Sequence, residues 1–193
     1  MLEEGLKLDI RIATIDDAEG IRRIYEPYVR NTAVSFEYEV PTVEEFRNRI
    51  SNTLINYPYV VATMDGEVIG YAYAGQFHTR EAYKHAAELS IYVDMNHRKS
   101  GIGSSLYNEI ISILKRQNIY TVHACIASEE VSDEYLTDDS RLFHSKMGFN
   151  VVGRHNKCGY KFGRWYSIIW MDKDIQEKPE VPETFIPFSE LEK

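Results

Sequence analysis

Hydrophobic and polar positions follow two different periods along this chain. Apolar and polar residues alternate through residues 8–12, which is the period of a half-buried strand. In residues 18–28 and 43–54 the apolar positions recur three or four residues apart, and Thr42 and Glu45 form a capping-box pattern at the start of the second run. These patterns predict one strand followed by two helices.

Further short apolar runs predict seven more strands, at 35–40, 59–64, 68–77, 88–93, 119–127, 149–153 and 166–171. Asp65-Gly66 is a hairpin signal between two of them. Helical spacing recurs in residues 102–114 and 142–147, and Gly148 suits the end of the shorter helix. The order β-α-β-α-β-β-β-α-β-α-β-β predicts an α/β (α+β) domain with a mixed, largely antiparallel central sheet and helices on both faces.

Length and composition indicate one globular domain. The chain has 193 residues, of which 44% are hydrophobic and 27% charged, and these are ordinary values for a protein with a single core. We expect residues 1–174 to form the domain and residues 175–193, which are rich in charge and contain prolines, to form a surface tail. The segment 129–139 carries acidic residues and no basic ones, which predicts a solvated loop.

Charge and cysteine usage exclude several classes of function. The net charge of −8 argues against nucleic acid as a partner. No apolar run is long enough to span a bilayer or to form a signal-peptide core, so a cytoplasmic protein with no membrane partner is expected. Cys125 and Cys158 have neither metal nor redox spacing and are predicted to be buried thiols. The histidines form no ligand pattern, and no metal is expected.

The turn between the predicted strand 88–93 and the predicted helix 102–114 carries candidate chemistry. It reads Arg98-x-x-Gly101-x-Gly103. Glycines let backbone amides approach a ligand without an intervening Cβ, the first turn of a helix has free N–H groups, and a guanidinium fork fits a pyrophosphate. The turn therefore indicates an anion site, although the same elements also occur for packing alone.

Two other phosphate loops are excluded, because no Gly-Lys-Ser/Thr sequence ends the turn and Leu106 stands where a dinucleotide fingerprint has its third glycine. The turn resembles the pyrophosphate loop of the GNAT N-acetyltransferase superfamily. Three further blocks resemble its phosphinothricin and methionine sulfone/sulfoximine N-acetyltransferase group. These blocks are residues 88–93 with His97-Arg98, Gly159-x-Lys161-x-Gly163-x-Trp165, and residues 71–75 with Arg80-x-x-Tyr83.

The resemblance covers the chain to about residue 173 and implies the GNAT fold, acetyl-CoA as cosubstrate and a homodimer. It assigns acetyl-CoA contacts to the end of the strand and to the turn. The residues concerned are Ile91, Tyr92, Val93, Arg98, Lys99, Ser100, Gly101, Ile102, Gly103 and Ser104.

Two residues match catalytic positions of the family. Glu88 matches the proposed base, which would take a proton from the amine directly or through water. Without the resemblance, a solvated carboxylate at a strand end would be the simpler interpretation. His144 matches the general acid that would act near the CoA sulfur, and a purely structural helix residue is an equal alternative.

The resemblance also indicates an acceptor pocket, and Arg80 would pair with a substrate carboxylate there. The candidate residues are Phe36, Phe77, Arg80, Tyr83 and Tyr92. For the aromatic residues a place in the core is the default interpretation, although Phe77 and Tyr92 are expected to form a wall of the pocket.

Two positions depart from the group. Thr137-Asp138-Asp139 stands where relatives have an asparagine that contacts CoA, and Ser167 stands where many have an aspartate. The first departure puts CoA contacts from the acidic segment in doubt, and the second means that the function of that aspartate must be met in another way.

The predicted function is transfer of an acetyl group from acetyl-CoA to the α-amine of a small amino acid such as phosphinothricin or methionine sulfone/sulfoximine. Two alternatives stay open at this point. One is acetylation of another amine, such as a polyamine, an antibiotic or a peptide N-terminus. The other is a non-catalytic acetyl-CoA-binding sensor, against which the presence of both Glu88 and His144 weighs.

Overall fold

The computed structural model describes residues 8–191, in which four helices pack on a seven-stranded sheet. The strands are β1 (Leu8–Ile12), β2 (Tyr59–Met64), β3 (Glu67–Gln76), β4 (Ala86–Val93), β5 (Thr121–Ala127), β6 (Asn150–Lys161) and β7 (Arg164–Asp174). The helices are α1 (Ala18–Asn31), α2 (Val43–Asn56), α3 (Ile102–Arg116) and α4 (Asp139–Lys146). No helix in this part of the chain is long and apolar enough to cross a membrane.

The strand order is β1-β2-β3-β4-β5-β7-β6. Neighbouring strands are antiparallel except β4 and β5, which are parallel. That parallel ladder is short, because it joins residues 86–88 to residues 121–123 and then ends. The sheet therefore consists of two antiparallel halves that meet along three paired positions.

The two faces of the sheet carry different helices. On one face, the buried side chains of α3 pack against alternate residues of the central strands, with Leu106 and Ile110 fully buried. On the other face, α1 and α2 cover β2, β3 and part of β4, with Ile21 and Ile50 at the centre of that cluster. Side chains alternate between the faces along each strand, so Glu88 lies on the α1–α2 face and Leu89 on the α3 face. The predicted mixed, largely antiparallel sheet with helices on both faces is confirmed.

Local signals at two chain reversals are also confirmed. The N–H of Glu45 donates to Thr42 Oγ1 over 3.1 Å, and the Thr42 N–H donates to the Glu45 carboxylate over 3.2 Å, which completes the capping box of α2. Asp65 and Gly66 have φ values of 50° and 82°. Positive φ at both central residues is what a tight two-residue hairpin requires.

The predicted strand at 35–40 is wrong, since this segment forms bends between α1 and α2. Its polar groups are engaged locally and by distant side chains instead of by a strand ladder. The Ser35 hydroxyl bonds to the Tyr25 hydroxyl over 2.7 Å and accepts the Glu37 N–H over 3.1 Å, while the Ser35 carbonyl accepts from Lys161. Ser35 is buried while Phe36 and Glu37 are both half-buried, so burial in this loop does not follow the alternation of a strand.

The last two strands are longer than predicted. β6 and β7 form a hairpin whose tip is Phe162-Gly163, with φ values of 49° and 75°. The block Gly159–Trp165 therefore forms the end of this hairpin, which joins the two predicted strands.

The acidic segment 129–139 is only partly solvated. Asp133 accepts the N–H groups of Tyr135 and Leu136, both over 2.8 Å, and Leu136 is buried. The Arg164 guanidinium donates to Asp133 over 2.9 Å, which attaches the segment to β7. Most of its other side chains are exposed, as predicted.

The segment after β7 packs against the ends of α2 and α3. The Gln117 side-chain amide donates to the carbonyls of Asn56 and Ile186 over 2.7 and 2.8 Å. The Phe185 ring lies 5.7 Å from the Tyr57 ring. Residues of this segment thus extend the core on the α3 face.

Candidate active site

A narrow cavity of about 60 Å³ lies where β4 and β5 diverge. The ladder between these strands ends at Glu88 and His123, so backbone groups on the facing edges are left for another partner. We call this cavity the slot. Its lining residues are Val34, Leu89, Ser90, Ile91, Tyr92, Tyr107, Ala124, Cys125, Ile126, Ala127, Ser140 and His144. An extended ligand with amide groups fits such a lining.

The glycine turn lies at the start of α3, beside the slot. Gly101 caps the helix with φ of 87°, a left-handed conformation that favours glycine, and Lys99 also has a positive φ of 61°. The exposed residues 98–101 precede the buried side chain of Ile102, and Ser104 is half-buried. The free N–H groups of the first helical turn are therefore open to an anion.

Three other predicted cosubstrate residues, Val93, Arg98 and Ser100, also contact neighbouring parts of the protein. The Arg98 guanidinium lies 5.1 Å from the centre of the Tyr28 ring, and the Tyr28 hydroxyl donates to the Val93 carbonyl over 2.6 Å. The Ser100 hydroxyl donates to the His97 carbonyl over 2.5 Å. These contacts hold the turn against α1 and β4.

Gly103 has a packing role in addition to the predicted one. A Cβ at this position would lie 3.1 Å from the Phe143 ring and 3.5 Å from Ile91 Cδ1. The first turn of α3 therefore contacts both α4 and the slot-lining part of β4.

We expect Gly103→Val to weaken acetyl-CoA binding by at least tenfold, because the added side chain would stand between the helix amides and the ligand. Calorimetry with CoA measures the change. The double variant Gly103→Val/Phe143→Ala removes the ring that the valine would strike. Recovery of full affinity in the double variant would show that packing, and not amide access, caused the loss.

Glu88 lies at the last paired position of β4 and β5, next to the slot-lining Leu89, and we call this end of the slot its apex. Its half-buried carboxylate faces the same side as His123 on β5 and Gly75 on β3. Burial raises the pKa of Glu88, and the nearby His78 opposes that shift. A carboxyl group with a raised pKa is a stronger base, which suits proton transfer near neutral pH.

His144 is buried in α4 with both ring nitrogens engaged. Nδ1 lies 2.8 Å from the Ser140 carbonyl, and Nε2 lies 2.8 Å from the Tyr107 hydroxyl. A carbonyl only accepts, so Nδ1 carries the proton and Nε2 accepts from Tyr107. Burial lowers the pKa of His144 to about 4, and the imidazole is neutral at physiological pH. This geometry favours the structural alternative, in which His144 orients Tyr107.

Tyr107 was not predicted as a site residue. Its side chain is fully buried, lines the slot and projects from the apolar face of α3. The signal in the sequence was a single polar-tipped residue within an otherwise aliphatic stripe. Burial raises the pKa of its hydroxyl, which therefore stays protonated and able to donate.

The lowered pKa of His144 predicts a loss of stability in acid. In the unfolded chain a histidine takes up a proton near pH 6.5, whereas folded His144 resists protonation down to about pH 4. The free energy of unfolding should fall as the pH drops through this window, by about 2 kcal/mol at pH 5 from this group alone. Urea titrations of the wild type and of His144→Gln at pH 7.5 and 5 measure it, and an identical pH dependence in both would contradict the assignment.

Two of the predicted acceptor residues lie together near Glu88. Phe77 stacks on His123 with ring centres 3.8 Å apart and contacts Tyr83 edge-on at 5.9 Å. Trp170 on β7 adds a second edge contact to Phe77 at 5.7 Å. Arg80 precedes the short turn that holds Tyr83 and is exposed to solvent.

Phe36 and Tyr92 pack in clusters separate from that of Phe77, and the expected wall of Phe77 and Tyr92 stays a prediction. Tyr92 packs against Tyr25 and Tyr71, at 4.9 and 5.3 Å. Phe36 packs near Tyr166. Besides His78 and Tyr83, which are near in sequence, Phe77 contacts His123 of β5 and Trp170 of β7, which the sequence pattern did not connect to it.

Lys161, from the block Gly159–Trp165, is buried and ties two parts of the site together. Its ammonium group donates to the carbonyls of Val29, Thr32 and Ser35 over 2.7, 2.9 and 2.6 Å. These carbonyls lie at the C-terminal end of α1 and in the segment after it, where a positive charge also complements the helix dipole. The lysine thus fixes the α1–α2 segment against the β6–β7 hairpin.

Both cysteines are exposed, so their prediction as buried thiols is wrong. Cys125 lies on the α1–α2 face of β5, which no helix covers there, and it lines the slot. Partial burial of the sulfur raises the pKa of Cys125 to about 11, which keeps it a thiol near neutral pH. Among residues 8–191, no group of three or more histidine, cysteine and acidic side chains is arranged to hold a metal ion.

Comparison with known proteins agrees with this geometry. A family model described as an acetyltransferase (GNAT) domain matches residues 10–170. A phosphinothricin N-acetyltransferase of Streptomyces viridochromogenes is 29% identical over 191 residues, which cover 99% of this chain and 100% of that protein. An L-methionine sulfoximine/L-methionine sulfone acetyltransferase of Salmonella typhimurium is 29% identical over 171 residues, which cover 88% and 96%.

A solved structure extends the likeness to three dimensions. The crystal structure of a GNAT superfamily phosphinothricin acetyltransferase from Sinorhizobium meliloti, in complex with acetyl-CoA, is 30% identical and has a TM-score of 0.80. The match covers 94% of this chain and 98% of that one. These findings confirm the predicted resemblance, and the chain belongs to the GNAT acetyltransferase family.

Proposed function

We propose that this protein transfers the acetyl group of acetyl-CoA to the α-amine of a small amino acid. The observation that carries the proposal is the position of Glu88 at the apex of the slot, with the glycine turn of α3 beside the same opening. The relatives named for phosphinothricin and for methionine sulfoximine and sulfone support an amino acid as the acceptor.

The slot and the turn fit acetyl-CoA. The first turn of α3, with Gly101 and Gly103, would hold the pyrophosphate through backbone N–H groups. The unpaired edge of β4 at Ile91 and its neighbours would bind the amides of the pantetheine arm. When bound, the cosubstrate supplies an acetyl thioester.

The side chains around the slot have the protonation states that the reaction needs. An amine is protonated at neutral pH and must lose a proton before it can attack a carbonyl, and Glu88 would accept that proton directly or through water. Tyr107 has one hydroxyl proton, so it would have to give up its hydrogen bond to His144 Nε2 in order to donate that proton to the departing thiolate.

Arg80, Tyr83 and Phe77 would form the acceptor side of the site. The exposed Arg80 guanidinium is suited to pair with the α-carboxylate, while Phe77 and Tyr83 pack beside Glu88's face of the sheet. An α-amino acid offers both the carboxylate and the amine that this arrangement can bind.

We also propose a homodimer. Four large apolar side chains are exposed on the edge strand β6 and its neighbour β7: Val151 at 52%, Val152 at 57%, Tyr160 at 49% and Trp165 at 57%. Burial of such a group against a second copy would remove it from water. Light scattering should give about twice the 22.4 kDa chain mass, and a monomer at micromolar concentration would refute this part.

A free-thiol assay tests the function directly. Purified protein and acetyl-CoA are incubated with a panel of amino acids, polyamines, aminoglycosides and short peptides. Thiol release only with free amino acids is the expected result. Release with polyamines or peptides alone would favour acetylation of another amine, and binding of acetyl-CoA without any release would indicate a sensor.

A further inference from the structure

Tyr28 of α1 contacts the end of β4 and the glycine turn with a single side chain. The residue is only 6% exposed. The centre of its ring lies 5.1 Å from the Arg98 guanidinium, and its hydroxyl donates to the Val93 carbonyl over 2.6 Å. The Val93 N–H points to the same hydroxyl over 3.4 Å. The last residue of β4 and the arginine of the turn are therefore both held by one tyrosine.

The surroundings of Tyr28 fix the orientation of its ring. The ring meets the Tyr92 ring edge-on, with centres 5.1 Å apart and planes at 78°. The Thr32 hydroxyl donates to the Tyr28 carbonyl over 2.7 Å, within α1 and its C-terminal cap. Because the hydroxyl is also bound to β4, the ring presents a fixed surface to the Arg98 side chain.

The N–H groups of Arg98 are free for a ligand. Arginines elsewhere, such as Arg47, Arg49 and Arg141, pair with carboxylates. Among residues 8–191, no side chain forms an ion pair with Arg98 and no acceptor takes a hydrogen bond from it. Attraction to the face of a ring needs no hydrogen-bond acceptor, so it orients the guanidinium and leaves its five N–H donors available. A fork that is oriented in this way suits a pyrophosphate.

We propose that Tyr28 is a positioning residue for the cosubstrate, and that its ring holds Arg98 where the guanidinium can bind the pyrophosphate of acetyl-CoA. This inference rests on the proposed function, which supplies the identity of the cosubstrate. An exposed arginine without such a surface would lose its rotamer freedom only on binding, and that loss would weaken the complex. The Tyr28 hydroxyl has a separate effect, because it fixes the end of β4 from which the turn departs.

Two acetyl donors distinguish the ring contact from the hydroxyl contact. Acetyl-CoA carries the pyrophosphate, and S-acetylpantetheine lacks it. The measured quantity is the ratio of kcat/KM for the first donor to that for the second, with one acceptor. Tyr28→Leu removes the ring and should lower this ratio by roughly 5–20-fold. Tyr28→Phe keeps the ring, so any loss should affect both donors alike and leave the ratio within about twofold of the wild-type value.

Tyr25→Leu is the matched control. Tyr25 lies one turn earlier on α1 and also packs edge-on against Tyr92, at 4.9 Å, but its hydroxyl bonds to Ser35 and not to β4. This variant removes a comparable buried ring and should leave the donor ratio unchanged. An equal fall of the ratio in Tyr25→Leu and Tyr28→Leu would show that a loosened α1 caused it, and would overturn the proposal.

A double-mutant cycle tests whether Tyr28 acts through Arg98. Calorimetry with CoA gives the affinities of Tyr28→Leu, Arg98→Ala and the double variant, and it needs no turnover. We expect Tyr28→Leu to weaken CoA binding by roughly 5–20-fold when Arg98 is present and by less than about twofold when it is absent. Losses that multiply, or an equal loss with both acetyl donors, would overturn the positioning role and leave the proposed function standing.

A further variant covers the case in which Tyr28→Leu does not fold. Arg98→Lys keeps the positive charge at the exposed turn but lacks the planar fork, so CoA affinity should fall by at least about fivefold. Full affinity in Arg98→Lys would mean that charge alone suffices, and would overturn the proposal. The expected coupling in the cycle without acetyl transfer to any amine would instead refute the proposed function and leave the role of Tyr28 in CoA binding intact.

Discussion

Replacement of Glu88 by glutamine should lower kcat by roughly 10²–10⁴-fold, the usual contribution of a positioned general base. Glutamine keeps the shape of the side chain at the apex of the slot but cannot accept a proton from the amine. The affinity for acetyl-CoA should stay within about twofold of the wild-type value, because the glycine turn and the edge of β4 are untouched. Steady-state kinetics and calorimetry measure the two effects separately.

The pH profile gives Glu88 a signature that a structural role would not. The carboxylate is the active form, so the wild-type kcat/KM should fall as the pH drops through the raised pKa of Glu88. The acid limb should therefore lie above the ordinary range of a glutamate and should vanish in Glu88→Gln. Glu109→Gln, at an exposed position of α3, is the control. Unchanged turnover in Glu88→Gln with a substrate whose chemistry limits the rate would remove the base assignment.

Lys161→Met should destabilise the fold more than any other single replacement considered. Methionine has a similar length but leaves the carbonyls of Val29, Thr32 and Ser35 without their donor. We expect the free energy of unfolding to fall by about 3–5 kcal/mol, which corresponds to a decrease in Tm of roughly 6–20 °C. Thermal and urea unfolding measure this loss.

Two further variants distinguish the loss of the buried Lys161 hydrogen bonds from the loss of a positive charge alone. Lys157→Met removes an exposed charge from the same strand and should change the stability by less than about 0.5 kcal/mol. Gly159→Ala would place a Cβ 2.2 Å from the Phe36 ring. It would therefore push β6 away from the segment after α1, which is the segment that Lys161 binds. Equal stability of Lys161→Met and Lys157→Met would show that the hydrogen bonds of Lys161 to α1 and the segment after it do not stabilise the fold.

The predictable part of the fold is the part that local physics determines. The helix periods, the capping box at Thr42 and the Asp65-Gly66 turn depend on neighbours in sequence, and each was confirmed. The segment 35–40 was misassigned because its partners, Tyr25 and Lys161, are distant. Alternation alone cannot distinguish a strand from a loop whose polar groups are satisfied by side chains.

The site shows the same division. The glycine turn could be identified from its local strand–turn–helix pattern, whereas Glu88 was singled out by the resemblance to the N-acetyltransferase group. Tyr107 was not predicted as a site residue, because its hydrogen bond to His144 joins α3 to α4, which are far apart in the sequence. The resemblance assigned Phe77 and Tyr92 to one wall, and in the structure the two rings have different neighbours.

The short ladder between β4 and β5 makes cohesion of the whole sheet depend on what fills the slot. Only three paired positions join the antiparallel half β1–β4 to the half formed by β5, β7 and β6. A ligand that bonds to both free edges would bridge the halves, and its binding free energy would add to the free energy of unfolding, by about 2.7 kcal/mol at a hundredfold excess over Kd. The lifetime of this protein in a cell would then follow the local supply of its own cosubstrate.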